Sequence, residues 1–258
     1  MITEMSLQYE KELAEVETPV EESEDIVRSK SVFPVYSIIL IGCLVAVSLF
    51  QFAADGADTI LLGGNLSVLL AGFVKPAFMS GEYWRILTGA ALHGGLIHLL
   101  LNCYALYVLG KLIETLSNRA HLAIVFLLAA IGGGILSLIF VPDGISVGAS
   151  GGVLGFLGYL AAYGFIRRKL LSNEFLKNML FNIGFIALYG VFLNQTVDNF
   201  AHLGGLIIGA VYGFIQIPKD LNEDPREAGN VAQIVGLVAL GTFIVVSIFS
   251  ILLITKIL

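Results

Sequence analysis

One serine, Ser150, stands among glycines in the stretch V-G-A-S-G-G-V-L-G-F-L from Val147 to Leu157, at the mouth of an apolar segment that continues to Phe165. Glycines let another backbone approach closely, and the first turn of a helix leaves N–H groups unpaired at the positive end of its dipole. A hydroxyl in that setting is placed for nucleophilic chemistry. The same glycines also suit close packing of membrane helices, since Gly148 and Gly152, and Gly151 and Gly155, are four apart. Three further polar residues interrupt apolar stretches: His98 and Asn102, which share one helix face at i and i+4, and His202 in A-H-L-G-G. Side chains of these types are costly in a bilayer and face a bundle interior or a water-filled cavity. An imidazole can act as general base toward a hydroxyl, and a His–Asn pair can donate hydrogen bonds to developing negative charge or simply link two helices.

The elements that must carry these residues are membrane spans. Hydrophobic residues make up 57% of the chain and charged ones 13%, and the mean hydropathy of +0.89 is far above that of a soluble domain. About 20 apolar residues cross about 30 Å of hydrocarbon. By that rule spans lie at Val35–Ala54, Ile86–Leu109, Leu122–Val141, Ser150–Ile166, Met179–Leu193, Phe200–Ile217 and Val231–Ile254. The fold class is an all-α membrane bundle of seven spans. Residues 1–34 read as an acidic, disordered cytoplasmic tail with no signal-peptide pattern, 35–217 as a six-span core, and 218–258 as a polar linker and a seventh helix, by default an added lipid-facing one.

Lys and Arg set the orientation. With the N-terminus cytoplasmic, Lys11, Arg28, Lys30, Lys111, Arg119, Arg167, Arg168, Lys169, Lys177, Lys219 and Arg226 lie inside, and only Lys75, Arg85 and Lys256 outside. Ser150, His202, His98 and Asn102 then all fall in the outer halves of their spans, each within about three turns of the non-cytoplasmic end. Gly205 and Gly209 let the sixth span press on the fourth and bring His202 to Ser150. The loop Asp55–Arg85, rich in Leu, Phe, Tyr83 and Trp84, reads as half-sunk in the outer leaflet. Cys43 and Cys103 fall in apolar segments and offer neither a structural disulfide nor metal spacing.

In these residues the chain resembles the rhomboid family of intramembrane serine proteases. The resemblance covers about Gly63 to Phe214: G-G-N at Gly63–Asn65, G-E-Y-W-R-I-L-T at Gly81–Thr88, H-G-G-L-I-H-L-L-L-N at His93–Asn102, G-A-S-G at Gly148–Gly151 and A-H-L-G-G-L-I-I-G at Ala201–Gly209. It implies a rhomboid-like six-helix core plus one helix, and a Ser150–His202 dyad without a carboxylate third member. It also implies an oxyanion site of His98, Asn102 and backbone N–H groups around Gly148 and Ser150, with Trp84, Arg85 and Glu114 as scaffold. The family often has an aromatic four residues after the nucleophile, where this chain has Leu154.

The activity implied is an intramembrane endopeptidase acting on single-span substrates, whose helices must unwind before their backbone can be cut. Entry from lipid is expected past the fifth span, which reads as only about fifteen residues, with the loop Asn194–Asn199 as a movable cap. The partners expected are transmembrane substrates and the bilayer, in a bacterial plasma membrane. No nucleic acid, cofactor or metal is expected, since His93, His98 and His202 lack carboxylate or thiolate company. A transporter would show repeated halves or a continuous polar path, and neither is present. A non-catalytic relative that only binds transmembrane helices stays open at this point.

Overall fold

The computed structural model describes residues 32–56, 60, 66–193 and 197–257. Nearly all of the acidic tail, the Gly63–Asn65 motif and the first half of the Asn194–Asn199 loop lie outside the described residues. In chain order the described elements are α1 (Val35–Asp55), α2 (Leu66–Ala71), β1 (Phe73–Val74), α3 (Lys75–Met79), α4 (Arg85–Ala91), α5 (Leu96–Leu116), α6 (Arg119–Phe140), β2 (Ile145–Ser146), α7 (Ser150–Ile166), α8 (Asn173–Phe192), α9 (Asn199–Gln216) and α10 (Asn230–Ile254). By length and composition α1, α5, α6, α8 and α10 can each cross a membrane. α7 and α9, with 17 and 18 residues, are the two shorter helices at the centre.

Two boundaries differ from the sequence reading. The second predicted span, Ile86–Leu109, is two helices: α4 ends at Ala91, and α5 starts only at Leu96 and continues to Leu116. In A-A-L-H-G-G-L-I the interruption at residues 93–95 is too short to break a hydropathy window, but Gly95 has φ of +106°, a conformation that side-chain-bearing residues rarely adopt. The fifth span is not short. α8 has 20 residues, because residues 173–178 are helical although four of the six, Asn173, Glu174, Lys177 and Asn178, are polar.

Glycine governs the centre. A methyl group at Gly205 would overlap the carbonyl oxygen of Gly151, one at Gly209 that of Gly155, and one at Gly158 that of Leu206. α7 and α9 therefore meet backbone to backbone, the close approach that small residues permit where lipid removes the hydrophobic drive. α6 covers the other face of both helices, with Gly133 against the carbonyl of Ala201. α7 is accordingly buried almost all round, from Gly151 to Gly164.

The loop between α1 and α5 is a folded unit. β1 pairs antiparallel with β2, Phe73 opposite Ser146 and Val74 opposite Ile145, which ties this loop to the segment just before Ser150. Arg85 is its hub: Nη1 donates to the carbonyls of Leu69 (3.1 Å) and Gly72 (2.9 Å), Nε donates to Glu82 (2.8 Å), and the guanidinium stacks on Trp84.

α10 is more than an outer addition. Phe243 is fully buried with its ring 4.9 Å from that of Phe126, Phe249 meets Trp84 edge-on at 5.4 Å, and Gly236 lies against Ala120. Only the opposite face, with Val231, Ile234, Leu237, Val238, Val245 and Ile248, is exposed and suited to lipid.

Candidate active site

Each of the three candidate reactive side chains sits in the first turn of its helix. Ser150 is the first residue of α7, His98 the third of α5 and His202 the fourth of α9. All three helices start at the same end of the bundle, where Gly148 touches the His98 ring and the carbonyl of Ala201 approaches Gly151. Ser150 and His202 are next neighbours of that last contact, so the α7–α9 packing brings them to one level. No direct hydrogen bond joins them, and His202 Nδ1 is buried without a partner among the described residues. A resting site of this kind commonly tightens only around substrate.

The proton on His98 is assigned by its neighbour. The Gly94 N–H donates to His98 Nδ1 at 3.2 Å, so the neutral ring carries its hydrogen on Nε2. That edge is turned toward Gly148, where an added Cβ would lie 2.8 Å from Nε2. Gly148 itself has φ of +124° and leaves open the space that the ring edge faces. Asn102 is buried one turn below, its amide donating to the His98 carbonyl at 3.0 Å with the second N–H still available.

One expected donor is committed elsewhere. The Gly148 N–H donates to the Gly89 carbonyl at 2.9 Å, so Gly148 cannot offer it to an oxyanion while that bond holds. Gly148 serves by its absent side chain. The N–H of Ser150, at the start of α7, is one of the donors a helix leaves unpaired.

His93 is structural. Its backbone is clamped by Gln51, whose Nε2 donates to the His93 carbonyl at 2.7 Å and whose Oε1 accepts the His93 N–H at 3.1 Å. Its ring meets that of His98 edge-on at 5.2 Å. Glu114 holds the start of α1, accepting from the Ser37 N–H (2.9 Å), the Ser37 hydroxyl (2.7 Å) and the Tyr36 N–H (3.3 Å). Leu154 is buried in the apolar core.

Sequence reasoning missed an acidic residue here. Asp198, the N-cap of α9, accepts the Ala201 N–H at 3.0 Å and the hydroxyls of Ser137 and Ser146, and lies 3.8 Å from the buried ammonium of Lys75. It borders the same cavity as Ser146, Gly148, Ser150 and Ala201. Burial alone would raise this carboxyl, but the two hydroxyls, the Ala201 N–H and the Lys75 charge together hold it below the usual aspartate value. Burial pulls the Lys75 ammonium below the ordinary lysine value, against the opposing pull of Asp198. An Asp four residues before a helical His is a legible N-cap signal. Its Ser and Lys partners come from three other segments, which no local pattern reveals.

A rhomboid domain model matches residues 80–219. The chain is similar to rhomboid protease GluP of Bacillus subtilis (strain 168), 37% identical over 182 residues that make up 68% of this chain and 34% of that protein. It is 36% identical to RHOMBOID-like protein 4 of Arabidopsis thaliana over 168 residues, 64% of this chain and 43% of that one. Rhomboid-like protease 3 of Toxoplasma gondii is 34% identical over 145 residues, 55% of each. The chain spans between a third and just over half of the length of these relatives. The matched domain runs from the Trp84–Arg85 step through His98, Asn102 and Ser150 to His202, and the chain belongs to the rhomboid family.

Proposed function

We propose that the chain is an intramembrane serine endopeptidase that cuts the transmembrane helices of other membrane proteins near the non-cytoplasmic face. His202 takes the proton of Ser150 as the hydroxyl attacks the scissile carbonyl. The oxyanion so formed is held by His98 Nε2–H, the Asn102 amide and the Ser150 N–H. His202 then protonates the leaving amine, and water hydrolyses the acyl-enzyme by the reverse route. The observation that carries the reading is the backbone contact of α7 with α9, which sets a hydroxyl and an imidazole from separate helices at one depth beside a histidine edge with an assigned N–H.

Single-span substrates with Gly, Ala, Ser or Pro near the outer end of the span fit best, because such helices unwind with least loss. Entry is from lipid past α8. Only 11% of the apolar stretch of α8 is buried, against 28–56% in the other four helices able to span, and its outer end is held to α9 by the Asn199 amide on the Gly190 carbonyl at 2.9 Å. The setting of this proposal is a bacterial plasma membrane, and the Lys and Arg distribution favours a cytoplasmic N-terminus.

The test is cleavage of a transmembrane substrate by protein reconstituted in liposomes. Ser150→Ala removes all turnover above background, and a fluorophosphonate probe labels Ser150 only when His202 is intact. Residual cutting by Ser150→Ala, or labelling that survives His202→Ala, would overturn the reading.

A further inference from the structure

Asp198 is bound more heavily than a helix cap requires. An Asp N-cap needs only one acceptor for a first-turn N–H and contributes about 1 kcal/mol. Here Oδ1 serves that role toward Ala201, while Oδ2 takes hydroxyls from α6 (Ser137) and β2 (Ser146) and faces Lys75 of α3, which is 1% exposed. One carboxylate thus joins four elements around the α9 start, and a lysine is buried to meet it. Burying such a pair is seldom a gain in stability over apolar packing. The backbone carbonyl of Asp198 accepts the His202 N–H at 3.1 Å, so this turn also carries the imidazole. With Nδ1 of His202 unpartnered, no hydrogen bond to the ring orients it from that side.

We propose that Asp198 is a positioning residue for His202: held by Ser137, Ser146 and Lys75, it fixes the turn that presents the imidazole and places a negative charge one turn away that favours the imidazolium formed during attack. This rests on the dyad reading above. Asp198 stands four residues before His202, one turn away on the same helix start. The charged and titratable groups facing the pair are Lys75 from α3 and His98 from α5, whereas α6 and α7 present the hydroxyls of Ser137 and Ser150.

The experiment compares Asp198→Asn, Asp198→Ala and Lys75→Met in the full chain in liposomes, measuring kcat, KM, thermal midpoint and the pH profile of kcat/KM. Asn keeps an acceptor for the cap but loses the charge. For Asp198→Asn kcat falls about tenfold with KM little changed, the size of one charge-assisted interaction. Asp198→Ala, which also loses the acceptor, falls further. Losing an anion disfavours the protonated base, so in Asp198→Asn the acid limb moves to lower pH. Losing a cation does the reverse, so in Lys75→Met it moves to higher pH. Limbs that stay fixed or move the same way, or a kcat loss that vanishes when each variant is assayed equally far below its own midpoint, would overturn the proposal. Ser150→Ala run alongside separates the two ideas. If it is dead and Asp198→Asn is normal, only the positioning role fails; if it still cuts, the dyad fails and this role with it.

Discussion

At the scale of single residues, the site depends on which N–H groups are free. Gly94 fixes the His98 tautomer, Gly89 takes the Gly148 N–H, and Asn102 keeps one amide hydrogen in reserve. His98→Ala therefore lowers kcat by about 10²–10³-fold, the usual effect of removing one oxyanion donor, with the thermal midpoint little changed. Gly148→Ala acts differently. A methyl there meets both a positive φ and the His98 ring, so kcat and stability fall together, which a melting curve beside a cleavage assay detects. Ser150, His202, His98 and Asn102 were legible in the sequence because polar side chains stand out in apolar segments. The Gly148 bond was not, since its acceptor, Gly89, lies in α4, far away along the chain.

At the scale of elements, α7 and α9 act as one unit. Gly205→Ala drives a methyl into the Gly151 carbonyl, and the helices must part; overpacking of this sort costs about 1–3 kcal/mol. The expected result is a lower thermal midpoint and a larger loss of cleavage than of folding, because a small separation at Gly151 moves Ser150 from His202. Wild-type cleavage by Gly205→Ala would show that this contact does not set the site. The glycine spacing made the packing readable in advance, whereas hydropathy gave no sign of the α4–α5 break. His93 and two glycines are too short an interruption for a window of about 20 residues to register, and Gly95 at positive φ divides the stretch. The length of α8 was missed for the opposite reason: Asn173, Glu174, Lys177 and Asn178 at its start are helical yet polar, so a hydropathy boundary cannot find them.

At the scale of the whole molecule, the two ends of the bundle are built differently. The end away from Ser150 is stitched by polar bonds: Arg167 donates to the carbonyls of Pro218, Asp220 and Glu223, and Tyr159 links Ser117 to Gln216. The site end is fastened by Asp198 and by the β1–β2 pair. α10 belongs to this frame, which a helix without ionisable residues did not announce in the sequence. Phe243→Ala lowers stability by about 2 kcal/mol, less than the about 3–5 kcal/mol of a water-soluble core because lipid replaces water as the alternative surrounding. Denaturation in mild detergent measures this, and an unchanged midpoint would make α10 dispensable to the core.

The shared starting level of α5, α7 and α9 has an electrical consequence. Each helix carries roughly half a positive charge at its beginning, and the three beginnings surround one point. Their fields add where the tetrahedral adduct of the proposed reaction would gain negative charge. The backbone of the bundle, apart from any side chain, is thus polarised toward the charge that acyl transfer creates.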